Sequence, residues 1–329
     1  MIGDGDGNNN SKMIPVPIRE LIDGVKTPVD LYIRLNDTKF IQIAKAGSCT
    51  EKKRLSNYKD KEISYLWIKG GEFHLMTQMN VAIAGIIVKK ENLNTRQKVH
   101  VVSAAANSVF KELNHLGITV GSYGAARQVT EVTVSLVESH NDLAQLFHSL
   151  NECSQPLMRH SMAVSILSVL IGINMGWEQK STLEKLSLGG LLHDIGKKAL
   201  PPDLLEKSLA SMTYDEIQLY ESHPYKGMMM LQGLGVVPDD VVSIVLQHHE
   251  NALGQGFPQK LRNLKTHPLA KVVALANEFV NLTVKSHKHP HPVNPREALL
   301  LIEHTMGQPY NKEVFDALSK VIDKKVNAA

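Results

Sequence analysis

The chain has 329 residues, 43% hydrophobic and 21% charged, the profile of an ordinary globular protein long enough for two or three domains. A formal net charge of +3 and 5% aromatics, with no basic run interleaved with aromatic residues, give no case for a DNA-binding protein. Cys49 and Cys153, the only cysteines, are too few for a disulfide framework or a thiolate metal site; they read as reduced thiols of a cytoplasmic protein, and any metal must be held by His, Asp and Glu.

Residues 1–12 are rich in Gly, Asp and Asn, lack the apolar stretch of a signal peptide and are expected to form a disordered tail. Asp4, Asp6 and Asn8 hint at a calcium loop, but Asn9 stands where the turn glycine belongs and Pro15 where the closing glutamate belongs. From Val29 to Leu35 the apolar residues alternate, the period of a half-buried strand, and Phe40 to Ala44 can pair with it across Asn36-Asp37. Glu51 to Tyr58 reads as a short helix and Ile63 to Lys69 as a further strand ending at Gly70-Gly71. Residues 13–71 are therefore expected to form a small α+β domain for regulation or contact with a protein partner.

Residues 72–150 are expected to be a helical connector, with helices over roughly 73–90, 94–116 and 122–149 and breaks at Asn92-Leu93-Asn94 and Gly117 to Gly124. The Val and Thr content of 129–137 leaves a strand open there. Residues 151–329 read as an all-helical domain of about seven helices, among them Thr182 to Lys198, Tyr214 to Ser222, Asp239 to Glu250, Pro268 to Lys285, Asn294 to His304 and Lys312 to Lys324. The fold class is thus mainly α with a small N-terminal α+β domain. Met162 to Met175, the most apolar stretch, is too short to span a bilayer, so no membrane segment is expected. Glycine-rich phosphate loops are absent.

Chemistry concentrates in the last domain. Leu191-Leu192-His193-Asp194-Ile195-Gly196-Lys197 sets an imidazole beside a carboxylate in an apolar run read as helix, with Lys197 three and four residues on and so on the same side. An isolated pair of this kind reads better as a buried histidine bonded to a carboxylate than as a metal site. It is not isolated: His248 continues the stripe Val241, Ile244, Val245, His249 flanks it, His160 continues Ala163, Val164, Leu167, Ile171 backwards, and His223 precedes a helix-starting Pro224. Five inward histidines with Asp194 are hard to bury without a cation. Imidazole and carboxylate suit iron, manganese, zinc or nickel, and the ligand number suits two divalent ions about 3.5–4 Å apart, the arrangement of two-metal phosphate-ester hydrolases.

The order of these motifs resembles the HD superfamily of metal-dependent phosphohydrolases, and within it the HD-GYP branch, whose typical members hydrolyse cyclic di-GMP in bacterial signalling. The resemblance runs from about residue 152 to 320, through His160-Ser161, the His193-Asp194 segment, Pro201, Leu205 with Lys207, Met212-Thr213 with Glu216, His223-Pro224 with Gly227, His248-His249-Glu250 with Gly254, Gly256 and Pro258, and Gly307. It implies one metal, iron or manganese above all, on His160, His193, Asp194 and the acidic residue of an Ala-Asp pair, and a second on Asp194, His223, His248 and His249. A hydroxide bridging the two ions would be the nucleophile, and Lys197 would contact the substrate phosphate.

The sequence departs from the family pattern at four places. Ala276-Asn277 replaces Ala-Asp, with Glu278 as an alternative ligand; Pro156 stands where three-metal members have a glutamate; Phe257 replaces the signature tyrosine, with Asn251 and Leu253 before it; and His287-Lys288-His289-Pro290 replaces an Arg-rich segment. Lys197, Asn251, Phe257 and Lys288 are the candidate substrate contacts. The expected activity is a cyclic di-GMP phosphodiesterase, the alternative a degenerate module that binds a nucleotide or protein as a sensor without turnover.

Overall fold

The computed structural model describes residues 12–18, 21, 24–49, 63–140, 142–150, 156–285, 291–305 and 310–323. The expected tail up to residue 11, the helix at 51–58, Cys153, Lys288 and Gly307 lie outside them. The described residues are mainly α with one small sheet. It divides into two compact units, residues 1–83 with 108–125, and residues 84–107 with 126–329. Among the described residues no helix is long and apolar enough to cross a membrane.

The first unit holds an antiparallel sheet of β1 (Met13–Pro17), β2 (Leu31–Arg34), β3 (Phe40–Ala44) and β4 (Tyr65–Lys69), in the order β1-β4-β2-β3. The β2–β3 hairpin follows the alternation read from the sequence, pairing Ile33 with Ile41 and Arg34 with Phe40. β1 carries no such signal because Pro15 and Pro17 cannot donate to a ladder; it takes the edge position, where one side needs no donors, and pairs Pro15 with Trp67 of β4. Ile14, Val16, Leu31, Leu66, Ile68, Phe73 and Met76 close the core of this unit.

Three helices follow: α1 (Phe73–Val88), α2 (Thr95–Leu116) and α3 (Val120–Ser139). The expected helix to residue 149 stops at Ser139, and α4 (Leu143–Leu150) starts afresh because Asp142 Oδ1 accepts the Gln145 amide as an N-cap. The strand left open over 129–137 is helix, and its threonines turn their hydroxyls onto their own helix, Thr130 to Arg127 O and Thr133 to Val129 O.

The second unit continues with α5 (Pro156–Asn174), α6 (Lys180–Leu192), α7 (Pro202–Glu206), α8 (Tyr214–Glu221), α9 (His223–Gln232), α10 (Asp239–Gln247), α11 (Pro268–Thr283), α12 (Pro295–Leu300) and α13 (Lys312–Asp323). α5 is apolar on nearly every side and forms the centre, with α6, α11 and α13 against it. Ser165 Oγ donates to Ser187 O at 2.8 Å, so the hydroxyl buried where α5 meets α6 is satisfied. α13 buries Val314, Ala317, Leu318, Val321 and Ile322, the spacing of one helical face. The Thr213 and Glu216 pair of the sequence motif is a capping box that starts α8.

Candidate metal centre

The helix expected over 182–198 ends early. α6 stops at Leu192, His193 is its C-cap, Asp194 leaves helical geometry (φ −94°, ψ 9°), and a tighter 3-10 turn carries Ile195–Ala199. The reason lies at Gly196, where an added Cβ would stand 1.9 Å from His223 O, so the chain passes too close to the start of α9 for any side chain. Lys197 still reaches Asp194, Nζ to Oδ2 at 2.5 Å, across a 3-10 turn instead of along an α-helix.

Three histidines are set by one local device. His193, His223 and His248 each lie at a helix end and direct Nδ1 to the carbonyl three residues back, of Gly190, Tyr220 and Val245, each at 2.7 Å. Last-turn carbonyls lack the N–H of a following turn, so they are open to accept the imidazole N–H. A carbonyl can only accept; Nδ1 therefore holds the proton and Nε2 turns a lone pair inward. A hydrogen bond from the far ring nitrogen to a carbonyl orients an imidazole as a metal ligand.

The inward Nε2 atoms of these three histidines have no proton to share. His223 and His248 place their Nε2 atoms 3.3 Å apart, two lone pairs face to face. Asp194 Oδ1 lies 3.3 Å from His223 Nε2 and 3.7 Å from His248 Nε2, and Oδ2 lies 3.3 Å from His193 Nε2. Asp194 Oδ1 and His249 Nε2 are buried with no hydrogen-bond partner. Buried acceptors crowded together with too few protons suit a cation, and the atoms fall into two groups that share Asp194: His160, His193, Asp194 and Asp194, His223, His248, His249, each with its atoms within 4.8 Å of one another. The donor set, nitrogen and oxygen with no sulfur, fits a first-row divalent ion.

Protonation follows from the same burial. Desolvation, helped by His193, pushes His160 down to about 3, and desolvation takes His248 down to about 3 against the pull of Asp194. Burial likewise lowers His223, and with His248 holds His249 well below its ordinary value. Burial alone would raise Asp194, but His193 and Lys197 hold it well below the usual carboxylate range. Lys197 is raised because Asp194 outweighs its own burial. At neutral pH these imidazoles are free bases and the carboxylate is charged, the states a metal requires.

Asn277 belongs to this cluster, its Oδ1 3.0 Å from His160 Nε2. Glu278, the alternative, is in neither group; its charge bears on Tyr310 instead. Among the candidate substrate contacts, Lys197 is at the cluster with its Nζ 5.5 Å above the Tyr220 ring. Phe257 stacks on His249 at 4.3 Å and 22° and borders a cleft of about 520 Å³ with Tyr225, Met228 and Lys260. Asn251 spends its side-chain oxygen inside the loop, accepting the amides of Leu253 and Gln255.

Two residues at the site went unassigned in the sequence. Tyr220 supplies both the carbonyl under His223 and the ring beside Lys197, and nothing in its local pattern marks it. Glu250, 2% exposed, accepts the amides of Gln259 and Leu261 at 2.6 and 2.7 Å and so ties down the loop that carries Phe257. Its signal was the acid directly after His248-His249. Gly256 is required in that loop because an added Cβ would stand 2.1 Å from His249 O.

A family model described as HD domain matches residues 145–314. The chain is 29% identical over 219 residues to the cyclic di-GMP phosphodiesterase PA4108 of Pseudomonas aeruginosa, covering 67% of this chain and 51% of that protein. It is 30% identical over 165 residues to a cyclic di-GMP phosphodiesterase of Thermotoga maritima, covering 50% of this chain and 44% of the relative. The chain thus spans about half the length of the curated relatives it matches. In structure it is similar to Bd1817, a HDG"Y"P protein from Bdellovibrio bacteriovorus, with TM-score 0.68 and 22% identity over 95% of this chain and 100% of that one, a likeness of fold.

Proposed function

The chain belongs to the HD-domain family, and from that premise we propose that it is a metal-dependent phosphodiester hydrolase of the HD-GYP branch acting on cyclic di-GMP or a related phosphodiester. The observation that carries the reading is the excess of buried acceptors: inward Nε2 atoms around an Asp194 whose Oδ1 has no donor. His160, His193, Asp194 and Asn277 would hold one divalent ion, and Asp194, His223, His248 and His249 a second, with iron or manganese preferred. Such ions, when bound, supply an activated water near neutral pH and polarise a phosphoryl oxygen.

The chain's own part is positional and electrostatic. Carbonyls of Gly190, Tyr220 and Val245 hold three imidazoles in one tautomer, so no ring has to reorient as a ligand arrives. Lys197, kept cationic by Asp194, places a fixed positive charge beside the cluster, where negative charge develops on a phosphoryl group in the transition state. Phe257, on His249, offers an apolar wall to a nucleobase at the cleft. We place the protein in the cytoplasm and assign residues 13–71 to contact with a protein partner.

Protein made with manganese or iron should contain the metal and release linear dinucleotide or GMP from cyclic di-GMP, and Asp194→Ala should lose both metal and turnover. Full metal occupancy with no turnover of any phosphodiester would remove the enzyme. A second reading, a sensor that binds without hydrolysis, draws on Asn277 in place of an acid and on Phe257 in place of a hydroxylated ring. Calorimetric titration with cyclic di-GMP that gives tight binding without product selects it.

A further inference from the structure

A second concave site lies within the first unit, apart from the histidine cluster. There α1, α2 and the start of α3 line a cleft of about 290 Å³ with His74, Gln78, Glu112, Leu116, Thr119 and Ala125. His74 and Gln78 are one turn apart on α1, as are Glu112 and Leu116 on α2, so each helix offers one face to the cleft. The volume is at the small end for ligand pockets, which typically start at about 300 Å³, and suits a compact molecule rather than a dinucleotide.

Glu112 sets the chemistry. It is 3% exposed, and its Oε2 has no hydrogen-bond partner. Leaving a buried carboxylate oxygen without a donor is destabilising, and an apolar side chain would serve a purely structural position better. Burial raises its pKa, and the neighbours that favour the charged form, Thr77 and His74, do not overcome that. The cleft therefore presents a buried carboxylate with one oxygen unpartnered, while Leu116 and Ala125 provide apolar wall beside it.

We propose that this cleft binds a small organic cation whose ammonium or guanidinium group donates to the Glu112 carboxylate and whose carbon chain lies on Leu116 and Ala125. The site is independent of the phosphodiesterase reading, and a bound cation would give residues outside the histidine cluster a sensing role.

The test is calorimetric titration of the metal-loaded full chain with putrescine and agmatine, with butyrate and 1-butanol as anionic and neutral controls of similar length. At least one cation should bind saturably in the millimolar range or tighter, and neither control should. Glu112→Gln should weaken binding about tenfold or more, the loss expected for a hydrogen bond to a charged partner. Gly121→Leu gives a second arm that leaves Glu112 in place: Gly121 lines the cleft, and a Cβ there would meet only Thr119 Oγ1, at 3.7 Å, so a larger side chain is expected to narrow the rim without moving the backbone. Circular dichroism confirms that each variant is folded. No saturable binding of either cation, or binding that both folded variants retain at parental strength, overturns the proposal, and neither result depends on turnover of cyclic di-GMP.

Discussion

Asn277 offers His160 an amide oxygen at 3.0 Å where a carboxylate would bring a full charge. A metal held by His160, His193 and Asp194 would therefore have one anionic ligand, common to both groups. Asn277→Asp adds a second anion at the same reach, and oxygen ligands bind divalent ions more strongly when charged. We expect the variant to retain its metal at about tenfold or more higher chelator concentration, read as metal content after dialysis against graded EDTA; unchanged retention would mean that Asn277 lies outside the coordination sphere. At this scale much was legible. His160 and His248 interrupt apolar stripes where an aliphatic residue belongs, and that misplacement exposes them. The choice between Asn277 and Glu278 was not, because neighbouring helical positions differ by about 100° and only the packing of α11 decides which of them faces His160. Tyr220 was equally hidden: its carbonyl does the work at His223, and a backbone carbonyl has no sequence signature.

Among the elements, the stop of α6 at Leu192 matters most, and periodicity alone runs straight through it. The pattern of 182–198 is helical, yet the contact of Gly196 with His223 O, set by a segment distant in sequence, forces the tighter turn. The loop after α10 shows the converse, a local acid with a local task. Glu250 accepts from Gln259 and Leu261 and holds the strap on which Phe257 rests against His249. Glu250→Ala leaves two amides without their acceptor, at a cost of about 1.5–3 kcal/mol for each bond to a charged group where the site stays dry and less where water enters. We expect faster hydrogen exchange at the amides of Gln259 and Leu261 and a lower denaturation midpoint, while α5 and α11 keep their protection. Parental exchange at both amides would show that the loop is held by other means. β1 belongs to the same lesson: its two prolines argue against a strand until the strand order places it at an edge.

For the molecule as a whole, a mainly α chain with one small sheet was readable from where period two gives way to period 3.6. The interleaving of the two compact units was not, because α1, α2 and α3 each contribute to both, and composition does not say which end of a long helix packs where. With a metal bound, the cluster would tie the stability of the second unit to the ion as well as to pH. In the metal-free protein, His160 and His248 titrate at about 3 when folded and near the ordinary 6.5 when unfolded, so between those values the unfolded chain binds more protons. Their depressed folded values mean that stability is complete above about pH 6.5 and falls as pH drops toward 3, by about 1.4 kcal/mol per pH unit for each extra proton bound on unfolding. Metal bound only by the folded state adds about 2.7 kcal/mol at a hundredfold excess over its Kd, or roughly 5–10 °C in melting temperature for a unit of this size. Because the ligands must be deprotonated, that gain should also fade in acid. Trp177 lies in the same unit as the cluster and Trp67 in the other, so Trp67→Phe leaves one fluorophore to follow the melt. Manganese should raise its transition at pH 7.5, raise it less near pH 5, and do nothing after Asp194→Ala; an equal shift in that variant would place the stabilising ion away from the histidines.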